Sequence, residues 1–255
     1  MEKRTDGSSA AGTHGNRPAL GLSVTLPCTS VIELAAKAGY DFVRIDLEHA
    51  YLSAEETRAL LDTARLLRLP CQVRTPDLVN ITALLSREPS AVMIPHVESA
   101  DDARRAVEML RFAPEGRRGM DGNTRLMRCG GMKRSEYMAY QQENLKLIIQ
   151  IESLPAIRNM DEILSVPGID MVATGRADLS QELGVPGKKD HPDVIAAEEE
   201  IIRKAVEHGK MLTIAVDSRE RMQKLYDLGV RSFTIGKDEA LLDKAFSGRI
   251  AAFRD

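Results

Sequence analysis

The chain has 255 residues, 43% apolar and 29% charged, enough for a sizeable core under a polar surface. Its 35 basic and 38 acidic residues nearly balance, aromatic residues make up 4% and Trp is absent, which argues against nucleic acid or an anionic membrane as partner. Three scattered cysteines, Cys28, Cys71 and Cys129, without a CxxC pair, argue against a disulfide framework or a zinc site and fit a reducing cytoplasm.

Residues 1–19 are polar, rich in Gly, Ser and Thr, and lack the apolar stretch of a signal peptide; they are predicted to be a flexible tail. No apolar run further on reaches the roughly 18 residues of a membrane span. From Leu20 onward, short apolar runs alternate with amphipathic ones. The predicted strands are Leu20–Thr25, Phe42–Leu47, Cys71–Arg74, Ala91–Pro95, Lys146–Glu152, Ile169–Thr174, Met211–Ala215 and Ser232–Gly236. Most are rich in Val and Ile, as strands buried on both faces of a parallel sheet should be.

Helix signals fall between them. Val31-Ile32-Glu33-Leu34-Ala35-Ala36 stops at Gly39. Ser53-Ala54-Glu55-Glu56 has the form of a capping box, and Ser99-Ala100-Asp101-Asp102 and Asp217-Ser218-Arg219-Glu220 repeat its logic. Eight β/α units over residues 20–255 predict one α/β domain, a (β/α)8 TIM barrel, with an open doubly wound sheet as the alternative. Residues 112–140 break the rhythm with Pro114-Glu115-Gly116-Arg117-Arg118-Gly119 and later glycines. They are predicted to form a lid over the barrel mouth, the alternative being a disordered surface insertion.

Active sites of such barrels lie at the C-terminal ends of the strands. Those ends carry Asp46, Glu48 and His49, then Arg74, His96, Glu152, Asp178 and Lys237. Glu152 and Asp178 can hold a hard divalent cation through oxygen, which points to Mg²⁺, with Mn²⁺ or Co²⁺ able to replace it. The alternative is that Glu152 pairs with an arginine and Asp178 caps the helix that follows. Gly175-Arg176-Ala177-Asp178 offers backbone amides at a helix start, suited to a carboxylate or phosphate. Arg74 can grip a carboxylate or polarise a keto oxygen, or else form a salt bridge across the barrel top. His49, three residues after Asp46, can move a proton. His96 has no evident partner. A metal, an anion cradle, an arginine and a base suit enolate formation from a 2-oxo acid.

Asp41-Phe42-Val43-Arg44-Ile45-Asp46-Leu47-Glu48-His49 resembles the strand-two motif of the HpcH/HpaI family of class II pyruvate aldolases. Val73-Arg74, Met93-Ile94-Pro95, Pro114-x-Gly116-x-Arg118-Gly119, Gln150-Ile151-Glu152 and Gly175-x-x-Asp178-Leu179-Ser180 continue the resemblance in order. It implies a TIM barrel with Glu152 and Asp178 as metal ligands. It further implies the amides of Ala177 and Asp178 on the substrate carboxylate, Arg74 on the keto oxygen, and His49 with Asp46 as a base dyad. Gln150 and Ser180 join the substrate-binding set.

The reaction implied is cleavage or synthesis of a 4-hydroxy-2-oxo acid, in a trimer or hexamer that exchanges C-terminal helices. Leu85-Ser86-Arg87-Glu88 departs from the Leu-Asp-x-Gly of many such aldolases, and Arg176 and Arg44 are added charges. The family also includes siderophore-pathway citrate synthases and is related to malyl- and citryl-CoA lyases, so the alternative reaction is condensation of oxaloacetate with acetyl-CoA or cleavage of a CoA thioester.

Overall fold

The computed structural model describes residues 17–254. Its strands are β1 (Ala19–Val24), β2 (Phe42–Asp46), β3 (Cys71–Arg74), β4 (Ala91–Ile94), β5 (Lys146–Ile151), β6 (Met171–Thr174), β7 (Met211–Ala215) and β8 (Ser232–Lys237). They close in sequence order into one parallel barrel, β8 pairing with β1. This is the (β/α)8 TIM barrel expected from the alternation of runs.

The helices are α1 (Thr29–Ala38), α2 (Ala54–Leu66), α3 (Ile81–Leu85), α4 (Ala100–Leu110), α5 (Arg125–Arg128) and α6 (Arg134–Asn144). They continue with α7 (Leu154–Arg158), α8 (Met160–Leu164), α9 (Arg176–Glu182), α10 (Pro192–Glu207), α11 (Arg219–Asp227) and α12 (Asp238–Ala251). Their starts follow the predicted caps. Ser53 and Glu56 close a reciprocal capping box on α2, while Ser99 and Ser218 accept from the amides of Asp102 and Arg221. Gly39 ends α1 at φ 91°, a left-handed turn that glycine adopts without strain.

Alternation along the strands sorts the core into two shells. Outward residues such as Val43, Ile45, Val92, Ile149, Val172 and Ile214 are buried under the helices. Ala91, Met93, Ile148, Met171 and Ala173 form a separate cluster inside the barrel. On β2 the inward set is Phe42, Arg44 and Asp46, two of them charged. The barrel interior therefore turns polar toward its C-terminal end.

The seam between β1 and β8 has its own clasp. Asp238, 3% exposed at the start of α12, accepts from the amides of Thr25 and Leu26 and from the Thr25 hydroxyl, at 2.7 to 3.1 Å.

Two boundaries differ from expectation. Most of the predicted tail, residues 1–16, lies outside the described residues, but Arg17 pairs with Asp41 and β1 already begins at Ala19. Residues 112–140 are not a lid over the mouth. They leave the lower end of α4 and return to the start of β5, so they pack at the opposite, N-terminal face. Arg111 donates to Leu145 O there, the Lys146 amide bonds to Ser90 O, and Leu126 N donates to Glu88. The segment is anchored by Arg118, which is buried against Phe112 and donates to Gln141, Tyr137 and Leu85 O. Among the described residues, no helix is long and apolar enough to cross a membrane.

Candidate active site

A cavity of about 570 Å³ opens at the C-terminal end of the barrel. Asp46, His49, Arg74, Gln150, Ala177 and Asp178 line it, so most of the expected site converges there. Arg74 organises one side. Its Nε donates to Asp46 Oδ1 at 2.9 Å, Nη2 pairs with Asp46 Oδ2, and Nη1 lies 2.9 Å from Glu48 Oε2. Burial pushes the Asp46 carboxyl up, but the Arg74 guanidinium outweighs this and holds it below the usual carboxylate range. The same balance raises Arg74: burial works against its charge, and Asp46, Glu48 and Glu152 overcome it.

Asp46 and His49 meet differently from the expected dyad. Asp46 Oδ1 accepts from the backbone amides of Glu48 and His49 at 3.1 and 3.4 Å, and the carboxylate does not reach the imidazole. The acid nearest the His49 ring is Glu48, 3.7 Å from Nε2. The reason is local. A three-residue step from a strand end brings the His49 amide, not its side chain, back over Asp46, whose second oxygen Arg74 already holds.

Glu48, His96 and Glu152 form the tightest group. One ligand atom from each lies within 4.8 Å of the others, a set that could hold a metal ion. His96 bridges the two acids, with Nε2 2.8 Å from Glu48 Oε1 and Nδ1 3.1 Å from Glu152 Oε1, and its amide also donates to Glu152 at 3.0 Å. It does so from φ 55°, a left-handed conformation unusual for a residue with a Cβ. Although these contacts are close, neither oxygen of the buried Glu48 carboxylate accepts a hydrogen bond. Burial, with Asp178 adding to it, pushes the Glu152 carboxyl up to about 7 against the pull of His96 and Gln150.

A buried carboxylate, a second acid carrying an electrostatic penalty and an imidazole are donors fitted to a divalent cation. Asp178 is close enough to act on Glu152 electrostatically but stands outside the group of three, and Gln181 donates to it at 3.3 Å. Sequence reasoning assigns Glu48 no role and His96 no partner. The signal for both was positional, since each lies two residues beyond a strand end.

Gly175 joins β6 to α9. No side chain caps α9, so the amides of Ala177 and Asp178 remain for a ligand. The glycine also makes room for Glu152. A Cβ at Gly175 would collide with Glu152 Oε2 and lie 2.8 Å from Glu152 Cβ and 2.9 Å from Gln150 Nε2. Gly175→Ala is therefore expected to push Glu152 aside and weaken divalent-metal binding at least about tenfold, about 1.4 kcal/mol. Calorimetric titration of the metal checks this, and unchanged affinity would refute it.

Ser180 departs from its expected substrate-binding role. It is fully buried, donates to Ala177 O at 2.6 Å and accepts from Gly187 N at 3.0 Å, so its hydroxyl braces α9 from behind. Arg176 likewise turns to the Lys189 carbonyl and Asp190, at 3.0 and 2.9 Å.

A parallel barrel whose mouth gathers carboxylates, an arginine and uncapped helix amides has the ground plan of an enzyme site. Comparison with known proteins makes this specific. The profile of the HpcH/HpaI aldolase/citrate lyase family matches residues 20–245, and the chain belongs to that family. It is 32% identical over 251 residues to 4-hydroxy-2-oxo-heptane-1,7-dioate aldolase of Escherichia coli, covering 97% of this chain and 95% of that one. Its identity to 2-keto-3-deoxy-L-rhamnonate aldolase of Escherichia coli is 32% over 238 residues, with 92% and 88% covered.

Among solved structures it is similar to an HpcH/HpaI aldolase from Desulfitobacterium hafniense, with TM-score 0.88, 26% identity and 94% of both chains covered. It is also similar to the citrate synthase SbnG, with TM-score 0.84, 26% identity and 94% of both chains covered.

Proposed function

We propose that the protein cleaves or forms a 4-hydroxy-2-oxo acid through the enolate of a pyruvate-type 2-oxo acid, with a divalent metal as cofactor. The observation that carries this is the buried Glu152 carboxylate, which belongs to the Glu48–His96–Glu152 donor group and lies within electrostatic reach of Asp178, set beside Arg74 and the uncapped start of α9. Glu152 and Asp178 would hold the ion, Mg²⁺ by preference for oxygen ligands and Mn²⁺ or Co²⁺ in its place. Bound there, it supplies Lewis-acid stabilisation for charge developing on the keto oxygen.

The chain's own groups do the rest. The amides of Ala177 and Asp178 take the substrate carboxylate, and Gln150 fixes its orientation. Arg74 donates to the keto oxygen while Asp46 holds the guanidinium in plane. His49, whose side chain is 59% exposed, moves the proton at C3, and Asp46 positions its loop through the amide.

The test is hydrogen exchange at C3 of pyruvate in deuterated buffer with Mg²⁺. His49→Ala is expected to slow exchange about 10²-fold or more. Exchange at the wild-type rate would move the base elsewhere. The likeness to SbnG favours one second reading, condensation of oxaloacetate with acetyl-CoA. Thiol release from acetyl-CoA, with no turnover of pyruvate and aldehydes, would establish that reading instead.

The protein is further proposed to assemble as a homo-oligomer, a trimer or hexamer. The 14-residue α12 buries only Asp238 and leaves Leu241, Leu242, Phe246 and Ile250 exposed, with Phe253 just beyond it. Such a face is stable when another surface covers it. Light scattering should give a mass several times 28.1 kDa, and Phe246→Glu should reduce it. A monomeric wild type would defeat the assignment.

A further inference from the structure

Arg44 lies at the centre of β2, a strand buried along its whole length, and is itself 8% exposed. It points into the barrel. Nε and Nη2 donate to Gln72 Oε1 at 3.0 and 2.8 Å, and Nη2 reaches across to Thr213 Oγ1 on β7 at 2.9 Å. With Thr213 and Thr234 it lines the mouth cavity and forms its floor. A guanidinium removed from water calls for an anion. None is supplied: among the described residues no carboxylate is within ion-pair distance of Arg44, and Asp46 is committed to Arg74. Burial first, and the charge of Arg74 second, push the Arg44 pKa down to about 9.

The neighbouring polar atoms lack the same kind of partner. Gln72 Nε2 and Thr234 Oγ1 are buried without a hydrogen bond. Arg44 Nη1 has no acceptor among the described residues, its fork being engaged through Nε and Nη2. All three can donate, and one belongs to a full positive charge. Water can satisfy the dipoles, but only an anion also offsets the charge. Strand rise places Arg44 one inward layer, about 7 Å, below Asp46. A short diacid whose keto end lies at Arg74 can reach that depth.

We propose that Arg44 and Thr234, with Gln72 holding the guanidinium from behind, form a subsite for a second carboxylate on the enolate-forming substrate, which is then a dicarboxylic 2-oxo acid of four or five carbons. The inference rests on the 2-oxo acid reading above and names the substrate class for that same cavity. It assigns Arg44 a role in specificity and no part in the bond-making step.

The test is calorimetric binding to the full chain with Mg²⁺, using pairs matched in length. These are oxaloacetate against 2-oxobutyrate, and 2-oxoglutarate against 2-oxopentanoate. The wild type should bind at least one diacid about tenfold more tightly than its monoacid, as a charged hydrogen bond provides. Arg44→Met should erase that preference. Thr234→Val keeps the shape, removes one donor and should weaken the diacid about threefold more than the monoacid. It carries the test if circular dichroism shows that Arg44→Met does not fold. Monoacid binding with no diacid preference, or a preference that survives both variants, overturns the subsite and leaves the 2-oxo acid reading standing. If no 2-oxo acid binds the wild type, that reading fails and the subsite falls with it.

Discussion

Glu152→Gln is expected to lower metal-dependent turnover at least about 10³-fold, the scale of a Lewis acid that contributes several kcal/mol. The amide matches the carboxylate in shape; its oxygen can keep the His96 amide, and Gln150 can turn its own oxygen toward the new NH2 group. What is lost is the negative charge that burial has made expensive and that a cation would offset. Two measurements check this: steady-state rates with Mg²⁺, and direct titration of the metal. Wild-type turnover in a chelator, or unchanged metal affinity, would remove Glu152 from the site.

The raised pKa adds a pH dependence. Below about 7 a proton competes with the ion at Glu152, so affinity should fall about tenfold per pH unit at the steepest. In metal-free protein the sign is opposite. A carboxyl raised above its unfolded value stabilises the fold at low pH and loses that contribution as pH rises toward 7. Metal-free protein should therefore lose melting temperature over that range, and added metal should restore it above pH 7.

Arg74→Lys is expected to lower kcat/KM by about 10² to 10³, comparable to removing one donor from an oxyanion site. The guanidinium now satisfies Asp46 through Nε and Nη2 and meets Glu48 through Nη1. A lysine keeps the charge but cannot serve both acids and a keto oxygen from one ammonium. The loss should fall mainly on kcat, because the developing negative charge needs the donor more than the ground state does. A change confined to KM would reassign Arg74 to binding the substrate carboxylate.

Much of this was legible in the sequence, for physical reasons that also mark where it was not. Strands in a barrel are buried on both faces, so runs such as Leu147 to Ile151 stand out, and their ends fall within a residue or two of the predicted ones. Helix caps are local and read correctly at Ser53, Ser99 and Ser218. Residues 112–140 were misplaced although the order of elements bears on them: a segment after a helix and before a strand belongs to the N-terminal face.

Side-chain partners were the least legible, because they depend on what other strands bring alongside. Asp46 went to Arg74 rather than the His49 ring, Ser180 turned to its own backbone, and His96 found acids 48 and 56 residues away. Ser86 is likewise taken by a carbonyl one helical turn back, Thr82 O, at 3.0 Å.

The clasp between Asp238 and Thr25 has a consequence for how the chain reaches its native state. These residues are 213 positions apart, and β1 gains its second neighbour only when β8 arrives. Closure of so long a loop is entropically costly and slow. During synthesis β1 therefore waits with one open edge until β8 has emerged. A chain truncated before Ser232 would leave β1 and β7 each with one open edge, an invitation to association through exposed strands rather than a smaller, working barrel.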